Sequence, residues 1–340
     1  MQQRIERVTI PDGDELAFAT VGSGGRHVVY VAGWLSHLQL SWELRQERAF
    51  YEGLAEGCQL IRYDRAGSGL SAAATQPPSL KRELDQLSAV VATLGPEPFD
   101  LVGTSMGALV AIAWAAAHPE SVRRLVLYGG WVRGVDLSPA SAQENVLGLV
   151  ESHWGLGSDV LTDIFAPDAD AATRQEFARY QRACSTAETA RSLLAMSYGL
   201  DVEGLLGSVR APTLVVQRDH DRAVPLAQAE SLAEGIVGAQ LVVLPGRSHL
   251  PYMGDAHELV TTIRRFLGLR VPRRGADELT PRQREVAALI SAGRTNREIG
   301  ERLGIGERSA EGHVERIRLR LGVRSRAQIA AWHAADRDRS

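Results

Sequence analysis

A serine set between two glycines is the clearest candidate for chemistry in this chain. Residues 101–107 read LVGTSMG, a β-type run that turns at Ser105 and continues into the small-residue stretch 108–118. Gly103 and Gly107 keep side chains out of that crowded turn. A sharp strand-to-helix turn holds a serine hydroxyl exposed and the backbone strained. The spacing therefore predicts a nucleophile elbow with Ser105 as the nucleophile.

Two later loops offer the partners that such a serine needs. A serine hydroxyl attacks efficiently only when a nearby base takes its proton and a carboxylate orients that base. Asp221 follows the predicted strand 213–217, and His249 follows the predicted strand 240–244. Because sites form in loops beyond the carboxyl ends of parallel strands, we expect the three side chains to converge.

Strand and helix patterns alternate over the first two-thirds of the chain. This alternation predicts an α/β fold, a doubly wound and mostly parallel sheet with helices on both faces. From residue 131 to 207 the strand signal disappears, and the Ala- and Leu-rich pattern predicts a helical cap over the sheet edge. Predicted strands cover 7–10, 16–21, 27–31, 59–63, 99–102, 124–128, 213–217 and 240–244, and predicted helices cover 79–94 and 108–117.

Four short motifs make the chain resemble the α/β-hydrolase family over roughly residues 5–268. They are YDRAGSGLS at 63–71, GTSMG around Ser105, DRAVP from Asp221 and GRSH ending at His249. The resemblance implies a hydrolase domain over 1–268, with Ser105 as nucleophile, His249 as general base and Asp221 as the orienting carboxylate.

The resemblance also implies the groups around this triad. The backbone N–H groups of Trp34 and Met106 would form the oxyanion hole. His37, Trp34 and Trp131 fall where the family lines its pocket, and a packing role is equally open for each. Family members often have His-Gly before the second oxyanion donor, where this chain has Ala32-Gly33. The glycine is kept, so the backbone can still approach closely at this position.

Several polar residues near the motifs have alternative interpretations. Asp219 is a rival carboxylate to Asp221, although Asp221 has the family's spacing to the Val-Pro that follows it. His220 and His257 are expected at the surface. Asp64 and Arg65 are expected to stabilise the loop after their strand. Arg218 stands where many family members have Gly.

A second pattern near the C-terminus predicts a small all-α helix-turn-helix domain. Thr280 before Pro281 is a helix N-cap, Asn296 is the expected cap of the next helix, and residues 304–306 form a short turn. The helix after that turn has an apolar stripe at spacings of 4, 3 and 4 residues, which leaves its other face polar and free to enter a DNA major groove. The stripe consists of Ala310, Val314, Ile317 and Leu321.

This segment resembles the LuxR-type DNA-binding domain from residue 279 to 327. The matching motifs are LTPRQREV, NREI, EGHV and LGVRSR. The resemblance implies homodimer contacts in the last helix, about 326–335. Gly306 stands where the family usually has the Ser or Thr that caps the recognition helix. An alternative interpretation of the whole segment is a helical protein-interaction module. The implied base contacts are Glu311, Gly312 and Glu315, and the implied phosphate contacts are Arg308, Ser309, Arg316 and Arg324.

Length and charge agree with two domains. The chain has 340 residues and a net charge of −3, with 13 of 38 basic and 10 of 41 acidic residues from Gly275 onward. The tail therefore carries +3 and the preceding part −6, which hints at a polyanionic partner for the tail. A polar stretch with Pro and Gly at 269–278 predicts a linker before a helix-turn-helix domain at 279–340.

The same composition predicts a cytoplasmic protein. No apolar run is long enough to span a membrane, residues 1–9 are too polar for a secretory signal, and two cysteines are too few for a disulfide framework. The histidines show no metal-ligand spacing, so we expect no metal and no cofactor.

Three functional hypotheses follow from these patterns. The first is a transcriptional regulator of double-stranded DNA whose hydrolase domain binds, and hydrolyses, a small acyl ligand, an ester, lactone or amide. The second is an esterase-like enzyme whose C-terminal domain only localises or regulates it. The third is a receptor whose triad no longer turns over, because function belongs to the site rather than to the fold.

Overall fold

The structure is a computed structural model that describes residues 1–271, 279–321, 323 and 325–338. By its internal contacts the chain divides into two compact units, Met1–Val271 and Pro272–Ser340. Most of the predicted linker, 272–278, lies outside the described residues. Among the residues described, no helix is both long and apolar enough to cross a membrane.

A single eight-stranded sheet organises the described part of the first unit. Its strand order is β1-β2-β4-β3-β5-β6-β7-β8. The β1–β2 and β2–β4 pairs are antiparallel, and every later pair is parallel, as the alternating pattern predicted. The strands are β1 (Gln3–Thr9), β2 (Glu15–Gly22), β3 (His27–Val31), β4 (Gln59–Tyr63), β5 (Phe99–Thr104), β6 (Val122–Tyr128), β7 (Thr213–Arg218) and β8 (Gln240–Leu244).

Helices cover both faces of the sheet because the central strands present apolar side chains alternately to each side. In β3, Val29 and Val31 pack with one helical layer, and Val28 and Tyr30 pack with the other. The first layer contains α3 (Leu80–Ala92), α4 (Met106–Ala117) and α9 (Leu226–Gly235), and the second contains α2 (Arg45–Ala55) and α10 (Ala256–Leu267), with α1 (Leu38–Glu43) leading into α2.

A helical insertion occupies the chain between β6 and β7, as predicted. Pairs α5–α8 and α6–α7 pack together within it. Two short 3-10 helices, Gly134–Asp136 and Glu203–Ser208, flank the insertion. Its α-helices are α5 (Ala140–Ser152), α6 (Trp154–Phe165), α7 (Ala171–Cys184) and α8 (Ala187–Gly199).

The described part of the second unit consists of helices around its own small apolar core, which includes Val286, Ile299 and Ile317. α12 and α13 are separated by residues 304–306, so the predicted turn is confirmed. The helices are α11 (Pro281–Ser291), α12 (Asn296–Leu303), α13 (Glu307–Leu321) and α14 (Arg326–Asp338).

One helix cap differs from the sequence prediction. Thr295, not Asn296, is the N-cap of α12. Its hydroxyl accepts the Glu298 backbone N–H, and the Glu298 side chain accepts the Thr295 backbone N–H, which together form a capping box. Asn296 is instead the first helical residue, and its Oδ1 accepts a hydrogen bond of 2.7 Å from Arg326. The prediction for Thr280 is confirmed, with a second capping box to Gln283.

Candidate active site and DNA-binding surface

Ser105 lies at the turn between β5 and α4 with a strained backbone. Its φ of +54° is the only positive value among the described non-glycine residues. A Cβ on Gly103 would meet the Gly107 carbonyl oxygen at 2.5 Å, and one on Gly107 would meet the Val31 carbonyl oxygen at 2.3 Å. Gly103 therefore lets β5 and α4 approach closely at the turn, and Gly107 lets α4 lie against the end of β3.

Ser105, His249 and Asp221 form one hydrogen-bonded chain. His249 Nε2 lies 2.8 Å from Ser105 Oγ, and His249 Nδ1 lies 2.8 Å from Asp221 Oδ2. The His249 and Asp221 side chains are only 6% and 1% exposed. This arrangement can pass the serine proton to the imidazole while the carboxylate stabilises the resulting positive charge.

The carboxylate of Asp221 is held by groups on both of its oxygens. Oδ1 accepts the backbone N–H groups of Ala223 and Val224, and Oδ2 accepts Gln217 Nε2 at 3.1 Å as well as the histidine. Burial opposes ionisation, but the His249 charge and these hydrogen bonds prevail and lower the pKa of Asp221. Gln217, which sequence reasoning missed, is a fully buried polar residue in β7.

The rival side chains take other positions. Asp219 accepts the backbone N–H of Gly246 at 2.9 Å, at the exposed start of the loop after β8. His220 is exposed, and His257 lies in α10. The structure therefore brings Asp221, and not Asp219, to His249.

Three contacts fix the loop that carries His249. The His249 N–H donates to the Phe165 carbonyl at 2.8 Å, at the end of α6. Arg218, the departure from the family pattern, is buried and donates to the carbonyls of Ser248 and Met253 on either side of the histidine. Gly129 leaves room for the ring, because a Cβ there would lie 2.9 Å from His249 Cε1.

The predicted oxyanion donors belong to backbone next to Ser105. Met106 begins α4, so its N–H is one of the first four that have no acceptor within the helix. A Cβ on Gly33 would lie 3.4 Å from the Ser105 Cβ, which places the Gly33–Trp34 backbone beside the nucleophile. Trp34 itself lines the cleft around Ser105.

Arg65 holds the loop that contains Gly33 and Trp34. Its guanidinium donates to the carbonyls of Ala32 and Gly33 and pairs with Glu83 at 2.7 Å, with both side chains almost fully buried. In a trans peptide the carbonyl and the following N–H point in opposite directions, so holding the Gly33 carbonyl directs the Trp34 N–H the other way. Asp64 accepts hydrogen bonds from Ser36 and Leu38 farther along the same loop.

A cleft of about 610 Å³, part of it open to solvent, contains Ser105 and His249. His37 and Trp131, for which pocket lining and packing were equally open, are not among the residues that line it. His37 is the N-cap of α1, where its Nδ1 accepts the Leu40 N–H, and Trp131 is buried in the apolar core. The lining residues include Tyr30, Trp34, Glu47, Tyr51, Phe165, Phe177, Tyr180, Gln181 and Tyr252.

The polar face of α13 carries the predicted DNA contacts. Ala310, Val314 and Ile317 are buried against the other helices, and Leu321 packs beside them, so the opposite face projects outward. Gly312 is partly exposed on that face, and Arg324 lies outside the described residues. The exposed predicted contacts are Arg308, Ser309, Glu311, Glu315 and Arg316.

Arg316 influences two neighbours on this surface. The Arg316 guanidinium lies beside Gly312, 3.7 Å from where a Cβ would be. Partial burial and the charges of Arg316 and Arg282 lower the pKa of His313. Glu315 pairs with Arg318 at 2.9 Å, which offsets part of the negative charge that this position brings to the helix.

Comparisons with known proteins agree with both predicted domains. Residues 277–333 match the family described as bacterial regulatory proteins, luxR family. A pyrrolizixenacetamide deacetylase from Xenorhabdus hominickii is 29% identical over 213 residues, covering 61% of this chain and 80% of that protein. A pimeloyl-[acyl-carrier protein] methyl ester esterase from Neisseria meningitidis is 27% identical over 201 residues, covering 56% and 77%.

Solved structures share the fold of the first unit. A hydrolase from Pseudomonas aeruginosa superposes with a TM-score of 0.68 at 21% identity, covering 78% of this chain and 98% of that one. The family described as alpha/beta hydrolase fold matches residues 26–256, most of the chain. The chain therefore belongs to the α/β hydrolase fold family and carries a C-terminal domain of the LuxR type.

Proposed function

We propose that this protein is a DNA-binding transcriptional regulator whose hydrolase domain binds and hydrolyses a small ester, lactone or amide. The observation that carries the proposal is the hydrogen-bonded chain of Ser105, His249 and Asp221 in a polypeptide that also has a LuxR-type domain. Two of the similar proteins are named as a deacetylase and an esterase, which supports acyl chemistry.

In the proposed reaction, Ser105 Oγ attacks the acyl carbonyl while His249 Nε2 takes its proton. Asp221 stabilises the imidazolium, which then gives the proton to the departing alcohol or amine. Water, deprotonated by the same imidazole, attacks the acyl-serine, and the imidazolium returns its proton to Ser105 Oγ as the acid is released. Each bond formed to the acyl carbon is thus matched by one that breaks.

The negative charge on the carbonyl oxygen is assigned to the N–H groups of Trp34 and Met106. Such a donor contributes about 10²- to 10³-fold to the rate when it is held in place before the reaction. The Arg65–Glu83 pair supplies that positioning for the Trp34 N–H, because it fixes the carbonyl of the same peptide group.

For the second unit we propose that α13 enters the major groove. Arg308, Ser309 and Arg316 would contact phosphates, as would Arg324 beyond the described residues. Glu311 and Glu315 accept hydrogen bonds and suit cytosine N4, with Gly312 allowing close approach to the base edges. A homodimer through α14 would present two such helices to a two-fold DNA site.

Ligand binding is proposed to shift the population that binds DNA, and hydrolysis would end that signal. The test begins with selection of a duplex from a randomised pool by the full-length protein. The affinity for that duplex is then measured with a panel of esters, lactones and amides, alongside their hydrolysis. At least one hydrolysed compound should change the DNA affinity by about fivefold or more.

Two results would contradict this account. If no duplex is enriched, the protein is not a sequence-specific regulator. If compounds are hydrolysed and none alters DNA binding, the second candidate holds, an esterase whose C-terminal domain only localises it. The hydrogen-bonded chain of Ser105, His249 and Asp221 is the observation that favours this second candidate. Ligand-dependent DNA binding that persists in Ser105→Ala would assign the signal to binding rather than to hydrolysis.

A further inference from the structure

Two residues that line the cleft around Ser105 each have a buried acceptor atom without a hydrogen-bond donor among the described residues. Glu47 in α2 is 3% exposed, and its Oε1 accepts the Tyr51 hydroxyl at 2.7 Å. Its Oε2 has no donor within normal hydrogen-bond distance, although the Tyr252 hydroxyl is close enough to lower the pKa of this carboxyl. Gln181 in α7 is 1% exposed, and its Oε1 likewise accepts no hydrogen bond. Buried acceptors without donors are rare because they cost free energy.

The orientation of the Gln181 amide follows from its neighbours. Its Nε2 donates to the Ser158 carbonyl at 3.0 Å and to Thr162 Oγ1 at 2.7 Å. A carbonyl oxygen can only accept, so the amide nitrogen must face Ser158 and the amide oxygen must face away. The unsatisfied atom is therefore an acceptor and not a misassigned donor.

Glu47 has no ion-pair partner among the described residues. The Arg62 charge lowers the pKa of Glu47. Its guanidinium, however, stacks 3.7 Å from the Tyr51 ring centre and donates to Ser41 and Gln3. Burial raises the pKa of the Glu47 carboxyl to about 7, and the opposing influences of Tyr51, Arg62 and Tyr252 do not cancel it. A cation at the free oxygen would offset this cost of burial.

Aromatic residues line the same cleft as Glu47. Tyr51, Tyr180, Tyr252 and Phe177 line the cleft together with Glu47 and Gln181. Phe177 packs against the rings of Tyr180 and Tyr252, with centre-to-centre distances of 5.7 and 6.5 Å. Aromatic faces attract organic cations, and the combination of such faces with a carboxylate is the chemistry that recognises an ammonium group.

We propose that Glu47, Gln181 and this aromatic wall form an ammonium-binding subsite for the ligand of the Ser105 cleft. The ligand class is then an ester, lactone or amide that also carries a protonated amino group. The ammonium donates to Glu47 Oε2, and Gln181 Oε1 accepts a further N–H of the ligand. This inference rests on the proposed function only in assuming that the cleft is the ligand site.

The test uses binding alone, so that it does not depend on hydrolysis. The full chain with Ser105→Ala is titrated with alkylammonium chlorides of four to eight carbons, and with 1-alkanols of the same lengths at matched chloride concentration. At least one alkylammonium ion should raise the melting temperature and bind more tightly than its alkanol. Glu47→Gln should weaken that binding about tenfold or more and leave the alkanol unaffected.

Glu52→Gln is the matched control, because Glu52 lies on the same helix but does not line the cleft. It should leave ammonium binding unchanged, and Gln181→Met should weaken it less than Glu47→Gln does. If no alkylammonium ion binds, or if Glu47→Gln binds it as well as the parent, the subsite is refuted. Labelling of Ser105 by a fluorophosphonate reports separately on the proposed hydrolase function, so the two failures are distinguishable.

Discussion

The two candidate sites of this chain differ in what completes them. At Ser105, the base, its carboxylate and the backbone around them are buried and held by other groups of the same unit. On α13, the predicted contacts are exposed side chains such as Arg308 and Arg316. Catalysis requires groups that are fixed before the substrate arrives, whereas phosphate binding gains its free energy from displaced counterions. The fold therefore defines the first site, and DNA must complete the second.

The same contrast occurs within the hydrolase cleft. Asp221 is hydrogen-bonded on both oxygens, but Glu47 Oε2 and Gln181 Oε1 have no described donor. Reacting groups need fixed partners, and recognition groups need partners that the ligand supplies. In the proposed ammonium subsite, these two atoms are where the cleft would distinguish one ligand from another.

The largest effect is expected at the base of the triad. His249→Ala should lower any esterase activity by roughly 10³-fold or more, because nucleophile and base act as a unit. Turnover of a p-nitrophenyl ester measures it, and affinity for the selected duplex should not change. Nearly full activity in this variant would contradict the assignment of His249.

The space beside the histidine provides a sharper test of positioning. Gly129→Ala should lower activity by about 10²-fold, since its Cβ would lie 2.9 Å from His249 Cε1 and displace the ring. Gly238→Ala is the matched control, because Gly238 also has a positive φ, +74°, but open space around it. Equal losses of activity in the two variants would mean that backbone strain, and not the ring contact, is responsible.

Buried Glu47 should make stability depend on pH. Its pKa is raised from 4.5 to about 7 by burial, so between these values the folded protein keeps a proton that the unfolded chain has released. The contribution of this group to the free energy of unfolding should therefore be greatest below pH 4.5. It should fall by up to about 1.4 kcal/mol per pH unit as pH rises toward 7.

Denaturant titrations of wild type and Glu47→Gln at several pH values measure this dependence. The variant cannot ionise at this position, so its stability should fall less over the same interval. Tyr30, Tyr51, Tyr252, Arg62 and Asp64 also influence or face this carboxyl, but both proteins share them. If wild type and Glu47→Gln lose stability in parallel as pH rises, a group other than Glu47 has the raised pKa.

The smallest effect is expected on the DNA surface. Arg316→Ala should weaken binding about threefold to tenfold on every duplex and reduce the slope of log K against log salt by about 0.9, one phosphate contact. Fluorescence anisotropy at several salt concentrations measures both quantities. An unchanged slope would remove Arg316 from the phosphate contacts, and hydrolysis should stay at the wild-type rate.

The sequence predicted the parts of the fold whose signals are local. β3, β4 and β8 have the predicted bounds, because a short apolar run bounded by turn residues marks a strand. β1 begins at Gln3 rather than Arg7, since an exposed edge strand has few apolar residues to mark it. Ser105, Asp221 and His249 could be found because each follows a recognisable strand.

The residues that the sequence did not reveal depend on tertiary contacts. Glu47 lies in α2, a mixed polar helix that was not predicted, and only the fold brings it to the cleft that contains Ser105. Gly129 has a role only because the His249 ring packs against it. His37 and Trp131 were placed in the pocket by family position, yet in this chain one caps a helix and the other packs in the core.

The most direct test is the reactivity of Ser105. The full-length protein and its Ser105→Ala variant are treated with a fluorophosphonate probe, and covalent labelling is measured by intact mass. We expect one label on the wild type and none on the variant, because only an activated serine reacts rapidly. A folded wild-type protein that takes no label would contradict the hydrolytic account and leave the cleft as a receptor site.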